Sequence, residues 1–122
     1  MNVNFPPEKA AIARQEEIAD GQGRRFEVGK GPSRVDGVLV RFGGRFYAYI
    51  NRCKHMPMPL DLVKNHFFTA NKKHLRCQSH GAMYDPTTGK CHAGPCRGKG
   101  LDPLRITVEG GIVYYVGGGS QQ

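Results

Sequence analysis

The chain has 122 residues, 39% of them hydrophobic, with 17 Gly, 8 Pro and a net charge of +8 at pH 7. That length makes a single domain able to bury about two-thirds of its unfolded surface, and no run approaches the roughly 20 apolar residues of a membrane helix. The share of Gly and Pro fits an all-β chain with many turns and loops.

The first residues, M-N-V-N-F-P-P-E-K-A-A-I-A-R-Q-E-E, are charged where a secretion signal has its apolar core. The expected location is therefore the cytoplasm. Residues 1–22 read as an N-terminal extension. Pro7 suits a first helical turn, and Ala10, Ala11, Ala13 and Ala19 favour a short polar helix over 7–20. Ile12 and Ile18 are too few for a wide apolar stripe.

Strands begin near Arg25, with Phe26 and Val28 alternating. Val38–Phe42 and Arg45–Ile50 flank Gly43-Gly44, a strong two-residue hairpin signal, and Phe42 and Phe46 are expected to pair across it. The second strand runs into Asn51-Arg52-Cys53. Phe67–Thr69 reads as a short strand and Asn71-Lys72-Lys73 as a turn. His74–Arg76 leads into Cys77, and Met83-Tyr84 leads away from it. Leu104, Ile106 and Val108 alternate with polar residues. After Gly110-Gly111, Ile112, Tyr114 and Val116 answer on a return strand. Residues 118–122 read as a flexible tail.

Two clusters carry the chemistry. Cys53 and His55 form C-x-H; Cys77 and His80 form C-x-x-H. Thiolate and imidazole together suit zinc or an iron–sulfur cluster, and spacing alone does not choose between them. Two more cysteines, Cys91 and Cys96, could form a second metal site, a small disulfide or two free thiols. In a reducing cytoplasm free thiols are expected. His66, His74 and His92 read as non-ligands. The basic residues are scattered, paired only at Arg24-Arg25 and Lys72-Lys73, and no basic helix interleaved with aromatics is present. An acidic protein is the expected partner rather than nucleic acid or a membrane, with ordinary solvated charge as the competing explanation.

After His80 come Gly81, Tyr84-Asp85, Thr88-Gly89 and Gly94-Pro95. From His66 to Leu104 the text H-F-F-T-A-N-K-K-H-L-R-C-Q-S-H-G-A-M-Y-D-P-T-T-G-K-C-H-A-G-P-C-R-G-K-G-L-D-P-L resembles the small soluble Rieske ferredoxin-type proteins of bacteria. The resemblance covers about residues 24 to 117. It implies a Rieske-type antiparallel β-sandwich over 23–117, with a small cluster-binding subdomain (about 51–97) of two ligand loops and a proline loop. It implies one [2Fe–2S] cluster in which His replaces Cys on one iron. Cys53 and Cys77 then bind the inner iron, and His55 and His80 the outer one.

The same resemblance assigns the surroundings. The Tyr84 hydroxyl would donate to the Cys53 sulfur, stabilising the charge that grows there on reduction. The serine that high-potential members carry two residues earlier is Ala82 here. Met58 and Ser79 stand where respiratory members have a disulfide, and cannot form one. Met56, Pro57 and Met58 would shield the cluster, Pro95 would cover its third side, and the Gly81 N–H is a candidate donor to sulfide. The implied function is a one-electron carrier, not itself an enzyme. As a ferredoxin component, monomeric in the favoured reading, it would take electrons from a flavin-dependent reductase and pass them to an oxygenase. The positive charge departs from the acidic character common among ferredoxins. A redox-sensing module using Cys91 and Cys96 is the alternative, and a zinc-stabilised structural domain a more distant one.

Overall fold

The computed structural model describes residues 9–29, 31–51, 67–77, 81–94 and 100–118. In chain order its strands are β1 (Ala10–Arg14), β2 (Gln22–Val28), β3 (Val35–Phe42), β4 (Arg45–Ile50), β5 (Leu75–Arg76), β6 (Met83–Tyr84), β7 (Cys91–Ala93), β8 (Pro103–Glu109) and β9 (Ile112–Gly118). Six form one antiparallel sheet in the order β1-β9-β8-β4-β3-β2, and β5-β6-β7 form a second.

β3 holds the longest apolar run and is buried on both faces. Val35 and Leu39 enter one core, Val38 and Val40 the other, as the period-two alternation of a strand requires. β4 divides in the same way, with Ala48 on the first side and Tyr49 on the second. The first core gathers Ile18, Phe26, Leu104, Val113 and Tyr115 from around the large sheet. That sheet curls until its edge strands, β1 and β2, approach one another. The second core joins β3 and β4 to the small sheet through Phe67, Leu75, Cys77, Ala82, Tyr84 and Leu101. The expected antiparallel β-architecture with a small subdomain is the observed one.

Four local expectations are corrected. The helix over 7–20 is absent from its described part: Ala10–Arg14 is a strand on the edge of β9, with Ala10 opposite Tyr115 and Arg14 opposite Ile112. A single 3-10 turn follows at Gln15–Glu17. Alanine propensity is a weak preference; pairing with an open sheet edge and burial of Ala13 and Ile18 outweigh it. Phe42 and Phe46 do not pair, because the Gly43-Gly44 turn sets Phe42 opposite Arg45 and Arg41 opposite Phe46. Phe42 instead stacks on Phe68 at 6.5 Å, and the Arg41 guanidinium lies 4.9 Å from the Phe46 centroid.

In the closing hairpin the parity of β9 is the reverse of that expected. The two-residue turn places Val108 opposite Val113, and Ile106 faces Tyr115 past a bulge at Arg105. Val113 and Tyr115 are fully buried, whereas Ile112, Tyr114 and Val116 are partly exposed. Finally, Gly118 is not tail: it pairs with Leu104 in β9.

Candidate metal centre

The Phe67 carbonyl and the Thr69 N–H set the entry to the site. The Phe67 carbonyl accepts the Arg76 N–H at 2.7 Å, and Thr69 N–H donates to His74 at 2.8 Å. A turn with Lys72 at φ +61° joins these two short segments. β5 then delivers Cys77, fully buried in the second core. The Cys77 N–H donates to the Ala82 carbonyl at 2.8 Å, and its carbonyl accepts the Gly81 N–H at 2.9 Å. These two bonds close the base of the second ligand loop. They also engage the Gly81 N–H with the Cys77 carbonyl. Gly81 sits at φ +75°, where an L side chain is strained.

Leaving the loop, Tyr84 is fully buried, opposite Leu75 on β5 and Cys91 on β7. Asp85 and the four residues after it make a tight turn. Asp85 N–H donates to Lys90 at 2.9 Å and Gly89 N–H to Asp85 at 2.8 Å. One Asp85 carboxylate oxygen accepts both the N–H and the hydroxyl of Thr87, each at 2.8 Å. Burial pushes the Asp85 carboxyl up, but these donors, the Thr88 N–H and nearby His74 outweigh it and leave it below its ordinary value.

Tyr49 is a residue that the motif did not point to. Its hydroxyl donates to the Pro86 carbonyl at 2.8 Å, and burial, with Asp85 and Tyr47 nearby, raises its pKa. Its ring lies where a Cβ on Gly89 would come within 2.8 Å. Strand parity on β4 was the available signal. Gly94, at φ +95°, seats the third loop: a Cβ there would stand 3.0 Å from the Ala82 Cα and 3.2 Å from the Gly81 carbonyl oxygen.

Of the expected site residues, the structure brings together Cys77, Gly81 and Tyr84. Cys53, His55, Met58, Ser79, His80 and Pro95 lie outside the described residues, as does the expected Tyr84–Cys53 bond. His74 and His92 stack on each other with centroids 4.2 Å apart. Among the described residues no group of three His, Cys, Asp or Glu side chains could hold a metal ion. The free-thiol expectation is corrected for Cys91, which is disulfide-bonded. Cys77 is not in that bond, so the partner lies outside the described residues, as Cys96 does. β7 places this sulfur half-buried against the core beside Tyr84.

The donor chemistry fits an iron–sulfur cluster. Two thiols and two imidazoles stand in the sequence, and the described member is a thiol sealed from water among Leu75, Ala82, Tyr84 and Leu101. A dry, hydrogen-bonded surround of this kind is what tunes such a cluster.

Comparisons with known proteins agree. Apoptosis-inducing factor 3 of Homo sapiens is 31% identical over 109 residues, 87% of this chain but 16% of that protein. The chain thus spans about a sixth of the length of that curated relative. Among solved structures, a chain in the complex of reduced oxygenase and oxidized ferredoxin in carbazole 1,9a-dioxygenase superposes with a TM-score of 0.74 at 21% identity, covering 93% of this chain and 97% of that one. The ferredoxin of carbazole 1,9a-dioxygenase from Nocardioides aromaticivorans IC177 gives 0.69 at 22% identity, over 90% and 98%. The family described as Rieske [2Fe-2S] domain matches residues 8–109. This chain belongs to the Rieske [2Fe–2S] domain family, and its cofactor is one Rieske-type [2Fe–2S] cluster.

Proposed function

We propose that the protein is a one-electron carrier, the ferredoxin component that passes electrons from a reductase to an oxygenase-type acceptor. Cys53 and Cys77 hold the inner iron; His55 and His80 hold the outer iron and offer an imidazole edge to the partner. The observation that carries this reading is Cys77, a fully buried thiol at the end of β5, opening a C-x-x-H loop within the family match. The cluster-binding part is about 51–97, and the rest of 23–117 is scaffold, to which Ala10–Arg14 adds an edge strand. It is an electron-transfer component rather than a catalyst, and a monomer.

The purified protein should be reddish-brown with two irons and two sulfides per chain, and its reduced form should show the low average g-value of mixed Cys/His ligation. His80→Ala should abolish the cluster, while His74→Ala and His92→Ala should retain it. A colourless protein holding one zinc after oxygen-free purification would overturn the reading. Turnover reconstituted with a flavin-dependent reductase and an oxygenase tests the place in the electron chain.

Among the described residues no helix is long and apolar enough to cross a membrane. A cytoplasmic location, the one proposed here, sits beside the disulfide at Cys91, which a reducing compartment keeps chiefly where it is transient or redox-sensing. That bond is the specific observation favouring the second reading, a redox-sensing module. Titrating the protein with dithiothreitol while recording the cluster spectrum and alkylating Cys91 separates the two. A sensor changes its cluster signal as the thiols appear, and a simple carrier does not.

A further inference from the structure

We propose that the outer face of the small sheet, with the turn leading into it, is the docking surface for an acidic redox protein. This rests on the electron-carrier reading and adds which face docks and what charge the partner brings.

The net charge is not spread evenly. Residues 51–100 hold nine Lys and Arg against two Asp and Glu, while the remainder of the chain holds nine against eight. Nearly all of the +8 therefore belongs to the cluster-binding half.

The structure gives this asymmetry a surface. On and beside the large sheet, four basic residues have acidic partners: Lys9 with Glu109, Arg14 with Glu16, Arg24 with Glu17 and Arg34 with Glu27. On the small sheet Leu75, Tyr84 and Cys91 face the core, so strand alternation turns Arg76 outward. Arg76, Lys73 and Lys90 are exposed. The His74–His92 stack holds the Lys72-Lys73 turn alongside β7 and Lys90. The Arg76 guanidinium reaches the second ligand loop, 4.0 Å from where a Gly81 Cβ would stand. Asp85, the described acid of this half, already accepts two hydrogen bonds from Thr87. The described positive charges thus lie on the sheet that carries the base of the second ligand loop, a placement that speeds encounter with an acidic partner.

The surface favours a protein over a membrane or nucleic acid. The large hydrophobic residue exposed among the described residues is Val108, on β8 of the other sheet. Beside the basic face the described apolar side chain is Met83, opposite Arg76 and only partly exposed, and the aromatic rings described there, His74 and His92, already stack on each other; bilayer entry calls for a broad apolar face and base stacking for free rings.

Two triple variants test this with equal changes in total charge. Lys73→Glu/Arg76→Glu/Lys90→Glu reverses the face; Arg34→Glu/Arg45→Glu/Arg105→Glu reverses exposed residues on and beside the large sheet. Each reduced protein gives one electron to ferricyanide, an anionic acceptor, followed by stopped flow. At low salt the first triple should react roughly tenfold or more slowly than the parent, the second should change little, and the gap should close at high salt. Poly-glutamate, an acidic polypeptide, should inhibit the parent and the second triple but not the first. Equal slowing of both triples would mean that only total charge matters and would overturn the proposal. Binding of the parent to anionic vesicles or duplex DNA at physiological salt, lost in the first triple, would assign the face to those ligands instead. The cluster spectrum of each protein keeps the two claims apart. A protein without a cluster sinks the carrier reading and the docking face with it, whereas intact clusters with equal rates sink the docking face alone.

Discussion

Tyr84 is buried completely among the side chains that surround Cys77, and the proposed bond from its hydroxyl to the Cys53 sulfur has a measurable consequence. A hydrogen bond is worth roughly 0.5–1.5 kcal/mol, and for one electron 59 mV corresponds to about 1.4 kcal/mol. If the bond is felt fully only in the reduced state, Tyr84→Phe lowers the reduction potential by roughly 20–65 mV and keeps the cluster. Voltammetry decides; an unchanged potential makes Tyr84 a packing residue. Asp85 gives a prediction in pH. Its carboxyl is held below the ordinary value by Thr87, Thr88 and His74 against the opposing effect of burial. A depressed pKa in the folded state contributes stability above the unfolded pKa, near 4, and that contribution is lost as pH falls through the folded value. Asp85→Asn should therefore flatten the fall in stability below about pH 4. Denaturant midpoints across that range check it, and parallel curves for parent and variant would exclude the role.

At the scale of elements, two contacts couple the sheets and loops. The Tyr49 hydroxyl, on β4, ties the Pro86 carbonyl of the β6–β7 turn to the large sheet. Tyr49→Phe leaves a buried carbonyl without that donor, at a cost of about 1–3 kcal/mol, seen as a lower denaturation midpoint at constant slope. Gly94→Ala combines a strained backbone, costing roughly 1–3 kcal/mol, with a contact against the Ala82 backbone. It should speed cluster loss to a chelator, and a rate equal to the parent's would show that this seat does not protect the cluster. Both hairpins were legible from their Gly-Gly turns, because a two-residue loop fixes which residues face each other. The parity of β9 is not legible in the sequence because its apolar residues do not alternate: Ile112, Val113, Tyr114, Tyr115 and Val116 run without a polar break. The strand at Ala10–Arg14 was hidden for a different reason. Its stability comes from the open edge of β9, which lies about a hundred residues away in the chain.

For the molecule as a whole, the family was readable because the residues after His80, from Gly81 to Pro95, add to the Cys and His spacing a loop text that spacing alone does not supply. The surroundings were less so. The engaged Gly81 N–H, the Tyr49 tether and the disulfide at Cys91 are consequences of three-dimensional closure that no local text encodes. The two cores also predict an unequal response to loss of iron. β5, β6 and β7 are two or three residues long, and a metal site contributes its binding energy to the fold around it. Chelating the iron should raise amide exchange in β5–β7 while β3, β4, β8 and β9 stay protected. Uniform loss of protection would mean that the cores unfold as one unit.

β3 has a further consequence. Where one face of a strand meets water, a slip by one residue exposes its apolar side chains, and that penalty holds the alignment. β3 is buried on both faces, so exchanging faces carries Val38 and Val40 from one apolar interior into another. Alignment must be specified elsewhere. One marker is Gly37, opposite Phe26, whose ring occupies the space a side chain at that position would fill. The other is the Gly43-Gly44 turn. A glycine without a side chain thus acts as a notch that receives one aromatic ring at one offset, and the strand is indexed by a missing group rather than by its own hydrophobic pattern.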